Sequence, residues 1–136
     1  FETKAYPRIE GDDVIGLLSD MEDVAIWSTD KDLRQIPGLH WVDDEWLEID
    51  EEEADRFFLF QVLAGDAADG YKGCPGIGPV KADRILSKNQ TWEAVVAAYE
   101  KAGLTEADAL ITARLARILH PGEYDFGSNE PELWQP

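Results

Sequence analysis

Residues 65–86, GDAADGYKGCPGIGPVKADRIL, constrain this chain more than any other stretch. They hold five of its eleven glycines and two of its seven prolines. No helix or strand interior tolerates that density, because glycine loses most entropy on ordering and proline removes a backbone donor. The spacing therefore predicts a tight hairpin between two helices. Gly78-Pro79 sets proline near the first position of the second helix, where its missing N–H costs nothing. That helix is expected to reach Lys88.

The flanking sequence reads as helices on both sides. Asp50 followed by Glu53 has the form of a capping box, with acids crowded where the helix dipole favours them, and the helix it opens should run to Leu63 and end at Gly65. Thr91 and Thr105 stand at two further helix starts, over 91–102 and 105–120. Toward the N-terminus, Val14, Ile15, Leu17, Leu18 and Met21 follow helical spacing. Residues 23–29, DVAIWST, read as a short buried strand, and Leu33–Gly38 as a helical turn stopped by Pro37. His40–Val42 and Trp46–Ile49, joined by Asp43-Asp44-Glu45, read as a small hairpin. Trp27, Phe57, Phe58, Phe60 and Trp92 are expected in the core, with Leu133 and Trp134 anchoring a turn-rich tail. One strand is too little for a complete parallel sheet, which needs several βαβ units. The fold class expected is α/β, mostly helical with a small sheet portion, as in one half of a larger α/β enzyme. The expected division is residues 1–62, part of the α/β domain, and residues 63–136, the hairpin with the C-terminal helices and tail.

Charge is distributed unevenly. The 136 residues carry 29 acids and 12 bases, a net of −17. Residues 1–70 hold 20 of the acids and 5 bases, whereas Lys72, Lys81, Arg84 and Lys88 face only Asp83 within their own stretch. Whole-chain charge argues against a general basic-surface binder, but the basic island keeps a polyanion ligand open. A single cysteine rules out an internal disulfide framework or a multi-cysteine zinc site, and two histidines are too few for a histidine metal centre. No run approaches the roughly 18 apolar residues of a membrane span, so a cytoplasmic protein is expected. Cys74, among prolines and glycines without an activating base, reads as a packing residue. His40 and His120, the latter expected at a helix end, are poor general-base candidates.

Three acidic groups occupy structurally special places: Glu10-Gly11-Asp12-Asp13 at a helix start, Asp30-Lys31-Asp32 after the strand, and Asp66 with Asp69 at the helix-to-loop junction. Brought together they would form an oxygen-rich cluster of the type that Mg²⁺ or Mn²⁺ prefers. Two such ions would activate a water and stabilise a leaving oxygen in phosphodiester hydrolysis. Against that, DxD spacings arise by chance in so acidic a chain, and helix-start acids are ordinary dipole partners. The run 43–55 reads as a solvated face. In the hairpin, Gly73, Gly76 and Gly78 allow backbone N–H groups to approach a phosphate. Lys81, Arg84 and Lys88 recur on one helical face, which suits backbone recognition without base reading. A Gly/Pro turn beside a solvated basic face is the plainer alternative.

These pieces, in order, resemble the flap endonuclease/5′–3′ exonuclease family. IEGDDVIGLL is similar to its EADD-type motif and STDKDLRQIPG to its TxDKDLxQL motif. GDAADGYKGCPGIGPVKADRIL is similar to its GDxxDNxxGxxGIGxKTAxxLL motif with the helix-hairpin-helix. The Asp69-Gly70-Tyr71 variant looks most like bacteriophage replication exonucleases. The resemblance covers residues 5–90 and implies the C-terminal half of a PIN-like nuclease that hydrolyses DNA with two metal ions. It implies metal ligation by Glu10, Asp12, Asp13, Asp30, Asp32, Asp66 and Asp69, with Asp12, Asp30 and Asp32 catalytic. It also implies duplex binding by Gly73, Gly76, Gly78, Lys81, Arg84 and Lys88, with a K⁺ ion on the hairpin carbonyls. The family's first aspartate motif and basic helical arch have no counterpart here, so an N-terminal half is an expected partner. The competing expectation is a noncatalytic duplex-binding module that uses the hairpin alone. A third is an acidic partner-binding protein that mimics nucleic acid through 43–55.

Overall fold

The computed structural model describes residues 2–136, which divide into two compact units. The first runs through Ala54 and is completed by Ile118–Leu133; the second is Asp55–Arg117 with Trp134–Pro136.

In the first unit, helix α1 (Gly11–Leu17) is shorter than its apolar spacing implies. Ser19 Oγ donates to the Gly16 carbonyl at 2.8 Å, giving that carbonyl a partner outside the helical ladder, and Met21 is 57 % exposed. Gly16 lies where a Cβ would come within 2.0 Å of the Leu119 carbonyl oxygen, so only glycine permits this approach of helix to chain. Strands β1 (Ile26–Trp27), β2 (Gly38–Val42) and β3 (Glu45–Ile49) form a sheet in the order β1-β2-β3, parallel then antiparallel. The expected hairpin is thus present; Asp43 and Asp44 close it with φ of 51° and 63°, the left-handed pair that a two-residue turn demands.

The expected buried strand over 23–29 is corrected. Two residues pair, Ile26 is buried and Trp27 is 83 % exposed. An apolar run looks buried on both sides in sequence, but this sheet covers one face only. Ile26, His40 and Ile49 point inward, and His40 Nε2 is 2.8 Å from the Ile36 carbonyl oxygen. The unit's apolar interior consists of two small clusters. One is Ile26, Leu33, Ile36 and Ile118; the other is Leu17, Leu119 and Tyr124.

Helix α2 (Glu51–Ala64) opens on the expected capping box: Glu53 N–H donates to Asp50 Oδ1 at 2.8 Å and Asp50 N–H to Glu53 Oε2 at 3.3 Å. In the second unit, β4 (Gly65–Asp66) and β5 (Tyr71–Lys72) form an antiparallel hairpin. Helices α3 (Pro79–Lys88), α4 (Trp92–Lys101) and α5 (Glu106–Ala116) follow. Pro79 occupies the first turn of α3, and the Thr91 and Thr105 hydroxyls accept from Ala94 N–H and Asp108 N–H, both at 3.3 Å. One continuous core joins Phe58, Val62, Leu63, Cys74, Leu86, Val95, Tyr99 and Ala113. The Tyr99 hydroxyl donates to the Val62 carbonyl at 2.9 Å, deep within it.

Two C-terminal expectations are corrected. Helix α5 stops at Ala116, not at His120, and Arg117 turns extended. Beyond it, Ile118 N–H donates to Gln35 Oε1 and Leu119 N–H to Asp13 Oδ1, each at 3.0 Å, so tertiary acceptors replace helical carbonyls. Of the two tail anchors, Trp134 packs edge-on against Phe58 and Trp92 with centroids 5.0 Å away, whereas Leu133 is 63 % exposed. Among the described residues no helix is long and apolar enough to cross a membrane.

Candidate metal centre and nucleic-acid interface

The first unit gathers three of the predicted carboxylates, Asp13, Asp30 and Asp32, around a fourth, Asp12. Burial raises the Asp12 carboxyl above its ordinary range. The negative charge of Asp30 adds to this, as does a hydrogen bond with its carboxyl, followed by the charges of Asp13 and Asp32. Local chemistry sets each position. Asp30 caps the 3₁₀ turn Lys31–Gln35, its Oδ1 accepting from Asp32 N–H at 2.9 Å. Its own N–H donates to Ser28 Oγ at 3.0 Å. Asp32 is half-buried and paired with Lys31 Nζ at 3.0 Å. Asp13 holds Glu10 N–H through one oxygen at 3.2 Å and Leu119 N–H through the other at 3.0 Å, tying α1 to the returning chain. Glu10 is the exposed N-cap residue of α1.

Asp66 and Asp69 belong to the second unit, where the acidic loop proves to be the β4–β5 hairpin. Asp66 Oδ1 accepts from Ala68 N–H at 2.8 Å and Asp69 N–H at 3.4 Å, and their carboxylates bring oxygens within 4.8 Å of each other. Glycine is required here: a Cβ on Gly73 would fall 2.3 Å from Gly65 N, and Gly65 itself has φ of 72°. That approach lets Cys74 N–H donate to the Leu63 carbonyl at 2.9 Å. Cys74 is buried, as a packing residue should be, and burial pushes its thiol up.

The basic island is exposed on α3. An open groove of about 550 Å³ is lined by the hairpin residues Pro75–Ile77, by Lys81 and Arg84, and by Lys101 on α4. Lys81 Nζ donates to the Gly76 carbonyl at 2.8 Å, drawing the cation onto the hairpin. Lys88 is exposed in the last turn of α3, outside this lining. Sequence reasoning missed Lys101: it is remote from the glycine motif in the chain and joins the groove only through α3–α4 packing. Gln35 was missed too, because no pattern tells a buried glutamine that satisfies a distant N–H from a surface one.

No protein-family profile matches the chain. It is similar to the "Exonuclease" of Escherichia phage T7, at 30 % identity over 96 % of this chain and 57 % of the relative. The "Exodeoxyribonuclease" of Enterobacteria phage T3 matches at 30 % over 96 % of this chain and 56 % of the relative. "Flap endonuclease Xni" of Shewanella loihica matches at 33 % over 80 % and 49 %. The chain thus spans about half the length of the curated relatives it matches. A variant of T5 5′-exonuclease shares its fold with a TM-score of 0.63 and 16 % identity, over 79 % of this chain and 55 % of that one. The sequence relatives are thus two phage exonucleases and a flap endonuclease, and the T5 structure shares the fold.

Proposed function

We propose that this chain carries the metal-binding carboxylates and the duplex-holding hairpin of a divalent-metal-dependent 5′–3′ exonuclease or flap endonuclease acting on DNA. The observation that carries this reading is the Asp12 carboxyl, held above its ordinary range among Asp30, Asp13 and Asp32. A cluster that resists full ionisation is one that a cation relieves, and its all-oxygen donor set fits Mg²⁺ or Mn²⁺. Asp12, Asp30 and Asp32, with Glu10 at the rim, would hold one metal group and Asp66 with Asp69 another. Ions held by these residues would supply an activated water and stabilise a leaving oxygen. Asp13, with both oxygens on backbone N–H groups, keeps α1 in place beneath the ligands.

The hairpin's part is positional. Gly73, Gly76 and Gly78 leave the backbone bare for a phosphate, and Lys81, Arg84 and Lys88 neutralise the strand without reading bases. A K⁺ ion on the hairpin carbonyls would compete with Lys81 for the Gly76 oxygen. Catalysis from residues 1–62 and duplex holding from residues 63–136, apart from the ligands Asp66 and Asp69, is the division of roles this reading implies. An N-terminal partner segment would supply the remaining acids, and the cytoplasm is the compartment where such a nuclease meets replicating DNA.

The test is release of short products from a 5′-labelled duplex in Mg²⁺, with EDTA as control, using the purified protein. Asp30→Ala and Asp66→Ala should each abolish metal-dependent cleavage while leaving the circular dichroism unchanged. Lys81→Ala and Arg84→Ala should instead weaken duplex binding and lower the salt slope by roughly one each. Undiminished turnover in both aspartate variants would sink the assignment. Salt-sensitive binding with no cleavage in any form would favour the noncatalytic module.

A further inference from the structure

Lys81 stands where helix electrostatics least favour a cation. It is the third residue of α3, in the turn whose exposed N–H groups carry partial positive charge and whose usual occupants are acids. Asp83, the nearest carboxylate in sequence, is engaged at 2.6 Å by Arg56 from α2. Lys81 instead reaches back five residues and gives its ammonium to the Gly76 carbonyl at 2.8 Å. A charge-assisted bond of this kind is stronger than a neutral one, and it holds a side chain that would otherwise sweep through solvent.

The hairpin backbone shows what that charge is for. Cys74-Pro75-Gly76-Ile77 is a tight turn closed by Ile77 N–H on the Cys74 carbonyl at 3.1 Å, with Gly76 at φ of 73°. Proline second and glycine third is the composition of a type II turn. The Gly78 carbonyl accepts from Ala82 N–H at 3.0 Å, the first bond of α3. Backbone N–H groups thus meet the Cys74 and Gly78 oxygens, and the Gly76 oxygen between them is met by Lys81. A K⁺ ion on hairpin carbonyls needs several such oxygens to replace its hydration shell. These residues do not fit it. One oxygen already holds an ammonium, whose like charge repels a second cation at contact distance.

We propose that Lys81 is the resident cation of this hairpin. Its ammonium takes the place of a K⁺ ion on the Gly76 carbonyl, and its two remaining N–H donors face a phosphate brought to the glycine backbone. This rests on the reading that the hairpin grips duplex DNA, and it makes that grip indifferent to K⁺.

The first readout needs no DNA. In amide NMR spectra of the intact chain, KCl in place of tetramethylammonium chloride at equal ionic strength should leave the Ile77 and Gly78 signals unmoved. The same exchange should shift them in Lys81→Ala, where the Gly76 oxygen is released to the ion. Lys81 is exposed, so the fold should survive, as circular dichroism will show. The second readout is fluorescence anisotropy of a labelled duplex in EDTA. The parent should bind equally in the two salts, within about twofold. Lys81→Ala should lose about tenfold in tetramethylammonium and recover to within about threefold of the parent in KCl. Arg84→Ala should weaken by the same factor in both. Hairpin signals that shift with K⁺ in the parent, or stay fixed in Lys81→Ala, would overturn the proposal. So would an equal loss of duplex affinity by Lys81→Ala in the two salts, which would make Lys81 an ordinary phosphate contact. A parent that binds no duplex in either salt would instead remove the hairpin's role in the proposed function, and the amide signals would still decide which cation the hairpin holds.

Discussion

The two units differ most in charge and in the continuity of their cores. The first holds 21 acids against 4 bases and the second 8 against 8, so the whole net charge of −17 resides in one of them. The acidic unit buries two small apolar clusters, whereas the neutral one buries a single core spanning its four helices and the β4–β5 hairpin. The proposed nuclease activity would need both kinds of surface. Carboxylates that hold cations repel the DNA those cations act upon, so a separate region must offer a surface that phosphate tolerates. Self-repulsion in the acidic unit opposes its compactness, and under the proposed function bound divalent ions would offset it.

The largest expected effect probes the cores. Leu63→Ala, in the continuous core, should cost about 4 kcal/mol in urea unfolding. Ile36→Ala, equally buried but in a small cluster, should cost nearer 2 kcal/mol because its surroundings can collapse. Equal losses would mean that the acidic unit packs as tightly as its neighbour. Next, Gly73→Ala should cost roughly 3 kcal/mol, since its Cβ would meet backbone at 2.3 Å with no flexible side chain to yield. Gly11→Ala, where a Cβ meets nothing within 4 Å, should be neutral or stabilising by about 0.5 kcal/mol. Thermal melts of the two variants give opposite signs if this contrast holds.

Smaller still, Thr105→Ala removes the hydroxyl that caps α5 and should cost about 1 kcal/mol. The subtlest effect is electrostatic. Because the Asp12 carboxyl is raised in the folded state, the fold favours its protonated form. Stability from this group is therefore full below the ordinary carboxylate range and is lost as pH rises through the raised value. In EDTA, Asp12→Asn should accordingly melt slightly higher than the parent at neutral pH, and the difference should vanish in acid. Added Mg²⁺ should reverse the order by raising the melting temperature of the parent more. A variant that melts below the parent in EDTA would show that Asp12 stabilises rather than strains its unit.

Much of the fold was legible because it rests on neighbours in sequence. Asp50 with Glu53, Thr91, Thr105 and Pro79 each satisfy or spare a backbone donor within a turn, and those four helix starts stand where the residues indicate. The Asp43-Asp44 turn is equally local. The misreadings share one cause. Trp27 looked like core because apolar character says nothing about which face of a sheet is covered, and Leu133 failed for the same reason. The helix expected to reach His120 ends at Ala116, beyond which Gln35 and Asp13, some 80 and 100 residues away in sequence, take the next two free N–H groups.

The site divides the same way. Residue types, order and the basic island around the glycine motif were determined by sequence alone, since carboxylate, glycine and lysine chemistry is carried by each residue wherever it sits. Tertiary structure alone decided that Asp12 shares its surroundings with Asp30, that Asp13 spends its oxygens on the backbone, and that Lys101 joins Lys81 and Arg84. Proximity between segments distant in sequence is set by which apolar faces find one another. No local pattern encodes that choice.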